Sequence, residues 1–187
     1  MTAVRDGAAL PVEDMAEEPG EVRPGAMPDP AFERMLLLLG RLNYMWTNTE
    51  SLLIHLIAGL ARMDKESATL VFLTLGSSTA RLSLVQRLAK MDRVEPDCRA
   101  DVLATCRGLS AVLKLRNRYN HCIYAFDRDG SASTILMRVQ DRTDTIRVGQ
   151  RRAVDEASLT AIVEALTRLR AVNAGIWSLV ERHDFPR

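Results

Sequence analysis

Residues 30–63 read PAFERMLLLLGRLNYMWTNTESLLIHLIAGLARM. Leu39, Leu42, Trp46, Leu53, Leu56, Ile57 and Leu60 recur at helical steps along this stretch, which is the period of an α-helix with one apolar face. The spacing predicts one long helix from Pro30 to about Met63. The Pro28-Asp29-Pro30 punctuation fixes its start, since Asp29 is suited to cap and Pro30 to the first helical turn.

The same reading extends outward. A shorter helix is predicted from Glu66 to Leu75, stopped at Gly76. Ser77 and Ser78 open a third that runs to about Met91, with Leu82, Val85 and Leu88 on one face. Glu95-Pro96-Asp97 breaks the chain again, and a fourth helix follows from about Cys98 to Tyr124, striped by Val102, Cys106, Leu109 and Leu113. After Asp127 the period changes. Asp129-Gly130 is a turn dipeptide, and Ser133–Val139 and Thr143–Val148 are β-rich runs joined by Gln140-Asp141-Arg142. A last helix begins near Asp155 or Glu156 and carries Leu159, Ile162, Val163, Leu166, Leu169, Ile176, Trp177 and Leu179. The fold class is therefore mainly all-α: an antiparallel helical bundle with one β-hairpin inserted at about residues 132–149.

Residues 1–30 stand apart. They hold five of the seven prolines and a net charge of −5, whereas the remaining residues carry +6. A segment of that composition buries too little apolar area to offset chain entropy, so 1–30 is expected to be a disordered acidic tail ahead of one domain over 31–187. The start lacks a basic n-region and a long apolar h-region, and the run Met35–Leu39 is bounded by Arg34 and Arg41. No secretory signal or membrane span is expected, and the expectation is a cytoplasmic protein with no membrane partner.

Composition excludes several classes. The chain has 187 residues, 47% hydrophobic and 26% charged, with a net charge of +1. This is neither a disordered chain nor a strongly basic nucleic-acid coat. Cys98, Cys106 and Cys122 are odd in number and lack C-x-x-C spacing, so neither a closed disulfide framework nor a cysteine zinc site is expected. There are no Glu-x-x-His pairs, no phosphate-binding glycine loop and no G-x-S-x-G; no cofactor and no metal is implied.

Two features carry possible chemistry. Glu50 lies four residues after Trp46 in the apolar stripe that continues to Leu53 and Ile57. A carboxylate there must be paired or hydrogen-bonded; it is either a half-buried acid satisfied by a cap or an arginine, or a group supporting chemistry on the fourth helix. The second feature is Lys114-Leu115-Arg116-Asn117-Arg118-Tyr119-Asn120-His121-Cys122-Ile123-Tyr124. Here the fourth helix's apolar stripe runs on into Arg116 and Asn120, where polar side chains are expensive unless used. Asn117 and His121 are four apart, so the amide is placed to orient the imidazole. Arg116 and His121 are five apart, about 140° of rotation and about 7.5 Å of rise. They border one site only if it wraps the helix end or if a second copy faces it. Alternatively Arg116, Asn117 and His121 simply satisfy the negative helix end. His55 shares a face with Asn48, Ser51 and Arg62, and His183 sits in the terminal segment; both are read as solvated.

Arg116-Asn117-x-x-x-His121 resembles the R-polar-x-x-x-H motif of the HEPN superfamily, and the long first helix with Trp46 and Glu50 is similar to members of that class. The resemblance spans most of 31–187. It implies a homodimer of helical bundles whose motifs meet at the interface, with metal-independent endoribonuclease activity in many members. Carried over, His121 is the acid or base beside the ribose 2′-hydroxyl or the leaving oxygen, Arg116 holds the scissile phosphate, and Asn117 fixes His121. A bacterial toxin with its antitoxin, or a defence factor, is the biological setting it suggests; members without activity serve as binding or regulatory modules. One toxin branch continues H-x-Y, whereas this chain has His121-Cys122-Ile123-Tyr124, a departure at Tyr124. Arg118, Arg138 and Arg147, with Arg142, Arg151 and Arg152, either form a solvated face or track an RNA backbone. Aromatic content of 5% does not favour binding through base stacking.

Overall fold

A computed structural model describes residues 9–11, 30–127, 130–140 and 147–187. In chain order the elements are β1 (Ala9–Pro11), α1 (Pro30–Ser51), α2 (Leu53–Ala61), α3 (Lys65–Thr74), α4 (Ser78–Ala89), α5 (Pro96–Asn120), β2 (Cys122–Phe126), β3 (Ala132–Gln140), β4 (Arg147–Ala153) and α6 (Glu156–Arg182). The fold is mainly helical, with an antiparallel sheet inserted before the last helix. No helix among the described residues is long and apolar enough to cross a membrane.

The helix starts follow from capping chemistry. The Asp64 carboxylate accepts the Ser67 N–H at 2.8 Å at the head of α3, and Ser77 Oγ accepts the Ala80 N–H at 3.2 Å at the head of α4. Asp155 and Ser158 cap α6 reciprocally: the Asp155 carboxylate accepts the Ser158 N–H, and Ser158 Oγ accepts the Asp155 N–H. The hydrogen bonds from Ser67 hold the Asp64 carboxyl below the ordinary aspartate value.

The single helix expected over 30–63 is two. The Ser51 hydroxyl donates to the Asn48 carbonyl at 2.9 Å, the acceptor that the Leu52 N–H needs in a regular helix. Leu52 turns instead to Thr49 O at 3.2 Å, and His55 to Leu52 O at 3.1 Å, a local tightening to three-residue bonds that separates α1 from α2. The left-handed stop lies at Arg62 (φ 55°), where the Met63 N–H reaches back to Ala58 O at 3.0 Å. At the expected stop, Gly76, α3 has already ended at Thr74 with Leu75 extended.

The described residues divide into two compact units, one from residues 1–40 and 116–163 and the other from 41–115 and 164–187. The first contains the sheet, in the order β1-β4-β3-β2. β2 pairs with β3 from Cys122↔Leu136 to Phe126↔Ala132, and β3 with β4 from Ser133↔Ala153 to Gln140↔Arg147, with an irregularity between Leu136 and Val139. The expected hairpin is present as β3 and β4, while its joint and the start of its second run, residues 141–146, lie outside the described residues. Period-two alternation puts Cys122, Tyr124, Phe126, Thr134 and Arg152 on one face. Phe32 of α1 meets that face edge-on, 5.5 Å from the Tyr124 ring and 4.9 Å from Phe126. Within the segment expected to be a disordered tail, Ala9–Pro11 pair with β4, the proline being tolerated on an edge strand; residues 1–8 and 12–29 lie outside the described residues.

In the second unit the buried side chains include Leu42, Trp46, Leu53, Leu56, Ile57, Val85, Val102, Cys106, Leu109, Leu169, Ile176 and Leu179. Burial pushes the Cys106 thiol up to about 11 and raises Cys98 as well, as befits inert core thiols. The terminal segment is folded back rather than solvated. Asp184 turns left-handed (φ 49°) and the Phe185 N–H bonds Val180 O. Pro186 O then accepts the Nδ1–H of His55 at 2.7 Å. His55 is buried, its ring 5.2 Å from that of Trp177, and His183 is half-buried with Nε2 3.9 Å from Asp101. Both histidines were expected to be solvated; their partners lie far away in sequence. The Phe185 ring occupies the space where a Cβ on Gly59 would stand. Gly59→Ala is therefore expected to lower stability by about 1–3 kcal/mol in urea unfolding. Adding Phe185→Ala should return much of that loss; a deficit indifferent to Phe185 would contradict the packing argument.

Candidate functional site at the α5–β2 junction

The fourth predicted helix ends earlier than expected, at Asn120 rather than Tyr124. The following Cys-Ile-Tyr-Ala-Phe is rich in β-formers and finds a partner strand in β3, so tertiary pairing overrides the helical continuation. This places His121 at a sharp junction. Its N–H closes the last helical turn on Asn117 O at 3.1 Å, and its own carbonyl accepts the Met137 N–H of β3 at 3.4 Å. The backbone is held from both sides while the side chain is exposed. Ile123 and Met137, the latter on the neighbouring strand, are exposed as well.

Arg116 and Asn117 are half-buried on the last turns of α5, and Asn120 is exposed. The apolar stripe thus does not run into Asn120 as the sequence suggested. Val112, Leu113 and Tyr119 are buried instead, Tyr119 at 5% exposure, so the aromatic ring takes the inward position at the helix end. No hydrogen bond joins the Asn117 amide to the His121 imidazole among the described residues; the two are linked through the backbone.

Around Tyr119 lies a group that sequence reading missed. Arg118 sets its guanidinium carbon 5.7 Å from the centre of the Tyr119 ring. Cys122 Sγ donates to the Tyr119 carbonyl at 3.2 Å and shares its face of β2 with Tyr124. Burial raises the pKa of Tyr119, of Cys122 and of Tyr124, keeping all three protonated near neutral pH. The β alternation of residues 122–126 was the signal for this group, obscured because the helical period was carried past Asn120.

The other candidates separate. Arg138 and Arg147 belong to β3 and β4, but their side chains, like the whole of Arg142, lie outside the described residues. Arg151 meets Asp127 at 3.6 Å. Glu50 belongs to the second unit, whereas Arg116, Asn117, Arg118, Asn120 and His121 belong to the first. Its Oε2 accepts from Trp46 Nε1 and from Arg81 Nη1, each at 3.2 Å, which is the arginine-satisfied half of the two readings of this acid. No group of three or more His, Cys, Asp or Glu that could hold a metal ion occurs among the described residues.

Comparison of the chain with protein-family models, with curated proteins and with solved structures returns no match.

Proposed function

We propose that the chain is a HEPN-like endoribonuclease that cuts RNA without a metal, through His121 and Arg116 brought together with their counterparts in a homodimer. The observation that supports this most is the placement of His121: an exposed imidazole on a backbone fixed by α5 on one side and β3 on the other. A group held on rigid elements yet open to solvent is suited to proton transfer with a bound substrate.

In this reading the ribose 2′-hydroxyl attacks the adjacent phosphorus and the 5′-oxygen leaves. One His121 accepts the 2′ proton, and the His121 of a second copy gives a proton to the leaving oxygen. Arg116 steadies the charge that grows on the phosphorane oxygens, a task suited to a planar guanidinium. Asn117 sets the turn from which His121 projects. The product carries a 2′,3′-cyclic phosphate.

Purified protein is expected to cut single-stranded RNA in the presence of chelator, leave cyclic phosphate ends, and sediment as a dimer at micromolar concentration. A protein that sediments only as a monomer, or that binds varied RNAs without cutting them, would replace this reading with that of a silent binding or regulatory module. A role as a toxin, with an antitoxin as partner, or as a defence factor is the setting that such an activity suggests.

A further inference from the structure

The end of α2, the approach to α5 and the tail after α6, all within the second unit, border an open cleft of about 420 Å³. Leu60, Met63, Val94 and Phe185 give it apolar walls. Its size falls at the lower end of the roughly 300–1,000 Å³ typical of small-molecule sites. The tail is fixed as one wall: the Phe185 N–H bonds Val180 O at 3.0 Å, and Pro186 O accepts from His55 Nδ1 at 2.7 Å. The cleft is therefore preformed. Two cations and two anions share the lining, Arg62 and Arg93 with Glu95 and Asp184. None of these four makes an ion pair among the described residues. Arg93 is nonetheless placed, because its Nη2 donates to the Leu60 carbonyl at 3.0 Å and so holds the guanidinium at the end of α2.

The backbone singles out the same cleft. Arg62 (φ 55°) and Asp184 (φ 49°) are the only non-glycine residues with left-handed backbone among the described residues, and both line it. Each follows the end of a helix, where glycine takes the left-handed form without strain. Aspartate tolerates that form in part, but arginine has no local hydrogen bond to favour it. A charged side chain kept where glycine would lie lower in energy points to a use for the charge.

The chemistry of the lining selects the occupant. A guanidinium takes a carboxylate in its fork, a carboxylate takes an ammonium, and apolar walls take an alkyl or aromatic body. A ligand with only negative charge would be repelled by Glu95 and Asp184, and one with only positive charge by Arg62 and Arg93. We propose that the cleft binds a small zwitterion with an apolar body, the class of free α-amino acids such as leucine and phenylalanine. Arg62 and Arg93 take its carboxylate, and Glu95 and Asp184 take its ammonium. The inference does not rest on the cleavage reading: every residue it uses belongs to the second unit, whereas His121 belongs to the first.

The test is calorimetric titration of the full chain with leucine and with phenylalanine at millimolar concentration. At least one is expected to bind saturably, one molecule per chain. Isocaproate and hydrocinnamate lack only the ammonium of the two, and isoamylamine and phenethylamine lack only the carboxylate. Each is expected to bind at least about tenfold more weakly than its parent, because each leaves charged partners unmatched. Arg62→Gly should weaken binding of the amino acid about tenfold while raising the melting midpoint, since it relieves the left-handed backbone. A stability gain joined to a binding loss is a signature that a merely structural Arg62 would not give. Glu95→Gln should weaken binding too, and Arg170→Ala, at an exposed position of α6, should leave it unchanged. Titrations without saturable heat for either amino acid overturn the site, as does binding indifferent to both Arg62→Gly and Glu95→Gln. An analogue that binds as tightly as its parent overturns the zwitterion.

Discussion

Replacement of His121 by alanine is expected to lower RNA cleavage by at least about 10²-fold, the usual contribution of a positioned acid or base. On the proposed mechanism each site of the dimer would lose both its proton acceptor and its proton donor, because both would come from copies of the same residue. The fold should be untouched. The imidazole is exposed, and the bonds that shape the junction run through the backbone of His121, which alanine keeps. Equal melting midpoints with unequal cleavage are therefore the expected pair of results. Arg116→Lys tests the other half of the site. It preserves charge but replaces a planar fork with a point, so cleavage should fall although binding at low salt is retained. Should His121→Ala instead melt early in a chain that had no cleavage to lose, the motif caps the helix end and does nothing more.

The reach of sequence reasoning followed the range of the interactions. Ser77 and the Asp155–Glu156 start were legible because capping is settled within three residues, and Pro30 because its fixed φ suits the first helical turn. The break at Leu52 was not, since it depends on which acceptor the Ser51 hydroxyl takes. β2 was missed because a run as short as Cys122–Phe126 has no strong conformation of its own and is decided by β3, which lies beyond a turn. That miss placed Asn120 inward and overlooked Tyr119, which is the buried residue at the helix end. His55 was misjudged for a similar reason. Its hydrogen-bond acceptor is Pro186, near the far end of the chain, and no local period points to it. The anomalous Glu50 was visible at once as a carboxylate in an apolar stripe, but its partner Arg81 was not, because pairing across helices leaves no trace in spacing.

That pair makes the largest expected effect on stability. Glu50 is only 7% exposed, and one of its oxygens, Oε1, already lacks a hydrogen-bond partner among the described residues. The other is shared by the Trp46 indole and the Arg81 guanidinium. Arg81 itself is anchored twice more, by Nε to the Phe72 carbonyl at 3.1 Å and by its stack 4.1 Å over the Phe72 ring. It thereby ties α3 and α4 to the end of α1. Arg81→Ala strands a buried carboxylate with a single neutral donor, and the expected loss is about 3 kcal/mol in urea unfolding, the lower end of what breaking a buried pair costs because Arg81 keeps some solvent exposure. Adding Glu50→Gln to that variant should recover part of the loss, since a neutral amide is far less costly to bury. The double-mutant cycle then isolates the pairing from the stacking on Phe72, which no change at Glu50 restores. A loss below about 1 kcal/mol would mean that the pair behaves as an exposed, screened bridge. Cleavage measured well below the melting point supplies the remaining distinction. If Glu50 acts only through the fold, Glu50→Gln retains wild-type cleavage there, while a Glu50 that supports His121 loses it with the protein still folded.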